Sequence, residues 1–231
     1  ANARAFEELA HLRERLERER DYLREEVRAA RQHGAIVGSS PALRTALEQI
    51  DLVKRMVAIY PADFQMAYTA DDVRRIHRSG KIASLVGLEG GHSINDSLAT
   101  LRSMYDLGAR YMTLTHGETI NWADSATDAP RHGGLSPFGE EVIREMNRVG
   151  MLVDCSHSGH RTTMEAMEAS AAPVIFSHSN ARRLCDHERN IKDDQIKGCA
   201  ATGGVIAVTG VGRFLGPRGP VVEHLVEHID Y

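Results

Sequence analysis

The sequence has no closely spaced cysteine pair. Cys155, Cys185 and Cys199 are its three cysteines, an odd number without CxxC spacing, which excludes a zinc ribbon or a dithiol redox motif of that type. They read as reduced, structural residues. No window holds the roughly 18 to 20 continuous apolar residues of a membrane span, and the charged N-terminus is unlike a signal sequence. A cytoplasmic protein is the expectation. Nor is there an excess of positive charge: the formal net charge is -4 with His neutral, which argues against the broad basic face that nucleic-acid binding needs. What is present is a 231-residue chain, 42% apolar and 26% charged, the composition of a globular protein with one sizeable core. It also has twelve histidines, several of them at the ends of apolar runs.

The chain has two unlike parts. In residues 1–31, arginines and acids alternate without Gly or Pro, and Leu9, Leu12, Leu16 and Leu23 recur at spacings of three, four and seven. That pattern predicts one long amphipathic helix with a narrow apolar seam. Pairs such as Glu14 with Arg18 add roughly 0.2 to 0.5 kcal/mol each. The seam needs a partner, either a second copy, giving a homodimer, or the body of the same chain. Gly34 and Gly38 then break the helix, and Ser40 with Pro41 starts another. Two parts are therefore expected, residues 1–40 and 41–231. The segment "IVGSSPAL" with the helix before it resembles the linker that precedes the ATPase domain of bacterial enhancer-binding transcription activators. The G-x-x-x-x-G-K-[ST] phosphate loop of such proteins is absent, so no ATPase activity is implied.

Beyond residue 42 helices alternate with short apolar runs. "TALEQIDLVKRMVAIYP" and "TADDVRRIHRSG" read as helices, the second capped by Thr69 and stopped by Gly80. "IASLVGLEGG", "ARYMTLTH", "GMLVDCSH", "APVIFSHS" and "GGVIAVTG" read as strands, near-continuously apolar as strands buried on both faces are. Five β-α repeats predict a parallel sheet, either open and doubly wound or part of an eight-stranded barrel. Four of the five runs end in a potential ligand: Glu89, His116, His157 and His178. In parallel α/β folds such ends meet in one crevice. Imidazole nitrogen and carboxylate oxygen are zinc ligands, and a carboxylate can also bridge two metals. Gly90 and Gly91 would allow close backbone approach to a metal or substrate, or simply form a turn.

"GLEGGHSINDSLATLRSMYDLGARYMTLTH", "NWADSATD", "GLSPFGEEVIREMNRVGMLVDCSH", "PVIFSHSNAR" and "HERNIKDDQI" together resemble the renal, or membrane, dipeptidase family of zinc metallopeptidases in the amidohydrolase superfamily, from about residue 45 onward. The resemblance implies an incomplete (β/α)8 TIM barrel, here α/β with a long N-terminal amphipathic helix, and a zinc-dependent hydrolase of dipeptides. It implies that Glu89 bridges two zinc ions, that His157 and His178 ligate the second, and that His116 is catalytic, binding substrate at the scissile bond and stabilising the oxyanion. It implies that Arg189 grips the dipeptide's terminal carboxylate, a task that suits a planar guanidinium fork. Without the resemblance, Arg189 reads as a surface residue pairing with Asp193 or Asp194. Cys155 reads as packing and His92 as a supporting residue.

The family's first-strand His-x-Asp pair has no counterpart before residue 84, and its last-strand Asp is expected shortly beyond Tyr231. Impaired hydrolysis, with one zinc in place of two, is therefore the expectation. Two other readings are an inactive barrel fragment serving as an interaction or dimerising protein, and an amidohydrolase acting on a cyclic amide or lactone.

Overall fold

The computed structural model describes residues 41–231. The expected N-terminal helix, its seam and the Ser40 cap lie outside the described residues. The chain divides into two units, Ala1–Thr45 and Ala46–Tyr231, and apart from the start of the first helix the description that follows concerns the second. Helix α1 is Pro41–Ile59. Helix α2 (Ala70–Arg78) forms where its start and stop signals place it. Asp72 N donates to Thr69 Oγ1 at 3.1 Å and Thr69 N donates to Asp72 Oδ2 at 3.1 Å, a reciprocal cap. Gly80 then turns the chain with φ +77.

Every apolar run forms a strand, but the first divides in two. β2 (Ile82–Ser84) pairs with β1 (Phe64–Met66) in a two-stranded parallel sheet, while β3 (Val86–Glu89) begins a separate sheet of five strands. The register of β3 slips between Val86 and Gly87. Gly87 packs so closely on Tyr111 that any Cβ there would run into the ring. β1 was not expected from the sequence, because three residues are too few to show a period.

The larger sheet continues with β4 (Ala109–Thr113), β5 (Leu152–Asp154), β6 (Ile175–Phe176) and β7 (Val205–Ile206), all parallel and in sequence order. Helices α3 (Leu98–Asp106), α4 (Pro137–Val149), α5 (His160–Ala169) and α6 (Asp193–Ala201) are the crossovers. Two further helices follow, α7 (Gly212–Leu215) and α8 (Val222–Asp230). Met112, Val153 and Phe176 from the strands and Leu101, Ile143 and Met146 from the helices are buried in the core. Each such burial is worth roughly 1.5 to 3 kcal/mol.

The sheet is in register where function is expected. Glu89, the last residue of β3, pairs with Thr113, the last of β4, and Thr113 pairs with Asp154, the last of β5. The loops leaving these strands therefore start from one level. All three cysteines are unpaired thiols. Among the described residues no helix is long and apolar enough to cross a membrane.

Candidate metal centre

Three side chains converge above the carboxyl edge of the sheet. Glu89 Oε1 lies 3.3 Å from His157 Nε2 and 3.3 Å from His178 Nε2, and one ligand atom from each of the three residues falls within 4.8 Å of the others. They come from three different strand ends, β3, β5 and β6. His116, beyond β4, stands further off with Nε2 at 3.9 Å from Glu89 Oε1, its ring stacked on that of His157 at 4.4 Å between centroids. His178 meets His157 edge-on at 4.8 Å. The four strand-end residues singled out in the sequence thus share one crevice, with Glu89 at its centre.

The backbone is bent to achieve this. His157 has φ +67, in the left-handed region that few residues with a Cβ occupy. Ala126 N holds it there, donating to His157 O at 2.7 Å, while the Ser125 hydroxyl donates to His116 O at 2.8 Å. Both come from the long loop between β4 and α4. That loop is shaped by Asp124. Its carboxylate accepts from Arg131 N at 2.8 Å, Gly134 N at 2.9 Å and His132 N at 3.0 Å. Burial opposes ionisation of Asp124, yet these backbone donors hold its carboxyl below the usual range. The "NWADSATD" motif therefore builds the wall that positions His116 and His157.

The Gly90–Gly91 pair has two distinct reasons. Gly90 adopts φ +119, a conformation that favours glycine. Gly91 packs against the fully buried Trp122, and a Cβ there would strike both the indole ring and Leu114 O. His92 is exposed on the short 3-10 turn Gly91–Ile94 and does not join the ligand cluster.

Arg189 is placed differently from a surface arginine. It is 6% exposed, with Nη2 buried and unpaired and its guanidinium 5.5 Å from the Phe214 ring centroid. Asp194 pairs instead with His160 at 2.7 Å, and Asp193 accepts from the Tyr231 hydroxyl. Burial lowers Arg189 to about 10, against the opposing pull of Asp154 and Glu89. A cavity of about 430 Å³ opens here, lined by Ser125, His157, Arg161, Arg189 and Lys192 among others. Cys155 is buried, and burial raises its thiol well above the ordinary value, as suits packing.

The imidazoles suit a metal. Burial, then the Arg189 charge and the neighbouring rings of His178 and His116, push His157 down to about 3; burial and Arg189 lower His178 as well. Both rings are neutral near pH 7 and can offer a lone pair, and Glu89 supplies negative charge, the donor set zinc accepts. The same shifts bear on stability. Folded His157 takes up its proton only near pH 3, whereas the unfolded residue takes it up near its ordinary value of 6.5. Between those values the unfolded chain binds more protons, so stability falls as pH falls through that window. Urea unfolding of the metal-free protein is expected to show a lower midpoint at about pH 4.5 than at about pH 7. In His157→Gln the drop flattens; an equal drop in that variant contradicts the assignment.

A parallel α/β sheet that gathers a carboxylate and two neutral imidazoles at the ends of β3, β5 and β6 has the framework of a metal-binding centre. The chain belongs to the membrane dipeptidase family, peptidase family M19, whose pattern matches residues 19–231. That match begins upstream of residue 45, where the sequence motifs first carry the resemblance. Dipeptidase tcpJ of Claviceps purpurea is 43% identical over 191 residues, covering 81% of this chain and 45% of that protein. Dipeptidase 3 of Rattus norvegicus is 47% identical over 173 residues, covering 73% of this chain and 35% of that protein. The chain thus spans less than half the length of these relatives. Among solved structures, a metallo peptidase from Rhodobacter sphaeroides, liganded with a phosphinate mimic of the dipeptide L-Ala-D-Ala, superimposes with a TM-score of 0.63. It is 25% identical, over 72% of this chain and 50% of that one.

Proposed function

We propose that this chain holds zinc through Glu89, His157 and His178 and hydrolyses dipeptides on a partial (β/α)8 barrel. The observation that carries the reading is the convergence of those three ligand atoms from three strand ends within 4.8 Å, in a chain of the membrane dipeptidase family. A zinc ion so held supplies Lewis acidity toward a peptide carbonyl and lowers the pKa of water. The protein's own groups do the rest. His116, stacked on His157 and 52% exposed at the side chain, is free to donate to the carbonyl oxygen as negative charge develops there. Arg189, buried with an unpaired Nη2, takes the substrate's terminal carboxylate through charge-assisted hydrogen bonds. A carboxylate held by Arg189 near the metal centre would favour dipeptides over longer chains.

The described residues supply one carboxylate and two imidazoles to the centre. That number suits one catalytic zinc with a position left open.

The test is metal removal. Purified protein is stripped with a chelator, assayed on simple dipeptides, and reconstituted with zinc. Expected are about one bound zinc per chain, loss of hydrolysis on stripping and its return with zinc. Hydrolysis indifferent to the chelator, or absent at every zinc level, sinks the reading.

A further inference from the structure

We propose that Ser177 and Asp154 are positioning residues that fix His178 as its Nδ1-protonated tautomer, so that its Nε2 lone pair faces Glu89. The inference rests on the metal-centre reading above and adds the device that prepares one of its ligands.

The argument begins at Asp154, the last residue of β5, which is fully buried. Four donors converge on its carboxylate. Ser156 N at 3.0 Å and Ser177 N at 2.9 Å reach Oδ1; the hydroxyls of Thr113 at 2.6 Å and Ser177 at 2.5 Å reach Oδ2. A carboxylate only accepts, so the Ser177 hydroxyl proton is committed to Asp154. Ser177 Oγ also lies 2.8 Å from His178 Nδ1. With its proton already placed, that oxygen can only accept, and the imidazole must donate from Nδ1. A neutral imidazole protonated on Nδ1 carries its lone pair on Nε2, the atom 3.3 Å from Glu89 Oε1.

The rest of the His178 environment fixes the ring's base. His178 N donates to Ser156 Oγ at 3.0 Å, and Ser156 Oγ shares a further hydrogen bond with Ser179 Oγ at 3.2 Å. Three strands meet in this network, through Thr113 of β4, Asp154 of β5 and Ser177 just beyond β6. His157 has no side-chain partner at Nδ1, so within the pair of imidazoles the relay serves His178. Outer groups of this kind set ring orientation and tautomer, and their loss typically lowers metal affinity about 10- to 100-fold.

Two readouts test the relay in full-length wild type, Ser177→Ala and Ser177→Thr. In metal-free protein, nitrogen NMR of the imidazoles reports which ring nitrogen of His178 is protonated. Cobalt(II) titration, followed by its visible absorption, reports affinity. Expected are Nδ1 protonation in wild type and Ser177→Thr, its loss in Ser177→Ala, and cobalt affinity about 10- to 100-fold weaker in Ser177→Ala alone. Unchanged tautomer in Ser177→Ala overturns the proposal whatever the affinity does. A changed tautomer with unchanged affinity overturns it too, as does equal weakening in Ser177→Thr. Should wild type take up no cobalt, the metal-centre reading fails, while the metal-free spectra still decide the relay.

Discussion

Glu89→Ala is expected to abolish zinc retention and to lower dipeptide hydrolysis about a thousandfold or more, equivalent to about 4 kcal/mol of barrier. Glu89 is the group that both imidazoles face, at 3.3 Å each, and it is the carboxylate of the described ligand cluster. Removing it leaves two neutral nitrogens and no compensating charge. The fold should tolerate the change, since the Glu89 side chain is 57% exposed and contributes little packing. Parallel measurement of zinc content, hydrolysis and thermal midpoint separates the cases. Loss of zinc and rate with an unchanged midpoint fits the assignment. Retained zinc with retained rate removes Glu89 from the centre.

Arg189→Met is expected to cut kcat/KM for free dipeptides by about 30-fold to several thousandfold, the consequence of losing about 2 to 5 kcal/mol from a buried charge pair. Methionine keeps an unbranched stem against Phe214 while deleting the charge, so the packing seen at 5.5 Å from that ring is largely preserved. The discriminating substrate is a dipeptide amide, which lacks the terminal carboxylate. Wild type should already handle it poorly, and Arg189→Met should lose little more on it. An equal loss on free dipeptide and amide would falsify the carboxylate-binding role and leave Arg189 a structural residue.

Much of this architecture is legible in the sequence because buried parallel strands write themselves as unbroken apolar runs. "GMLVDCSH" and "APVIFSHS" announce β5, β6 and their terminal histidines, and the structure gathers those histidines around Glu89. What is not legible depends on contacts distant in sequence. β1 is three residues long and shows no period. The division of "IASLVGLEGG" between two sheets rests on partners distant in sequence, β1 for β2 and β4 for β3. Arg189 looks like a surface charge because arginine usually is one; its burial comes from Phe214 and the loop around it. The left-handed turn at His157 and the Asp154–Ser177–His178 relay depend on cross-strand partners that no local pattern encodes. Asp154 and Ser177 did carry one signal, their place beside the histidines in the strand-end motifs.

The two glycines after Glu89 show how structure divides a motif that reads as one. Gly90 serves backbone conformation and Gly91 serves packing on Trp122. Together they let the chain turn sharply at the end of β3, which leaves Glu89 projecting where β5 and β6 deliver their imidazoles.

The measurement that bears most directly on the metal centre is X-ray absorption at the zinc edge of the loaded protein. The expected spectrum has a first shell of nitrogen and oxygen alone, with outer-shell scattering from two imidazoles and zinc–ligand distances of about 2.0 to 2.2 Å. Sulfur in the first shell, at about 2.3 Å, or a two-imidazole signal that persists when His157 and His178 are both replaced by alanine, would contradict the assignment of Glu89, His157 and His178 as the ligands.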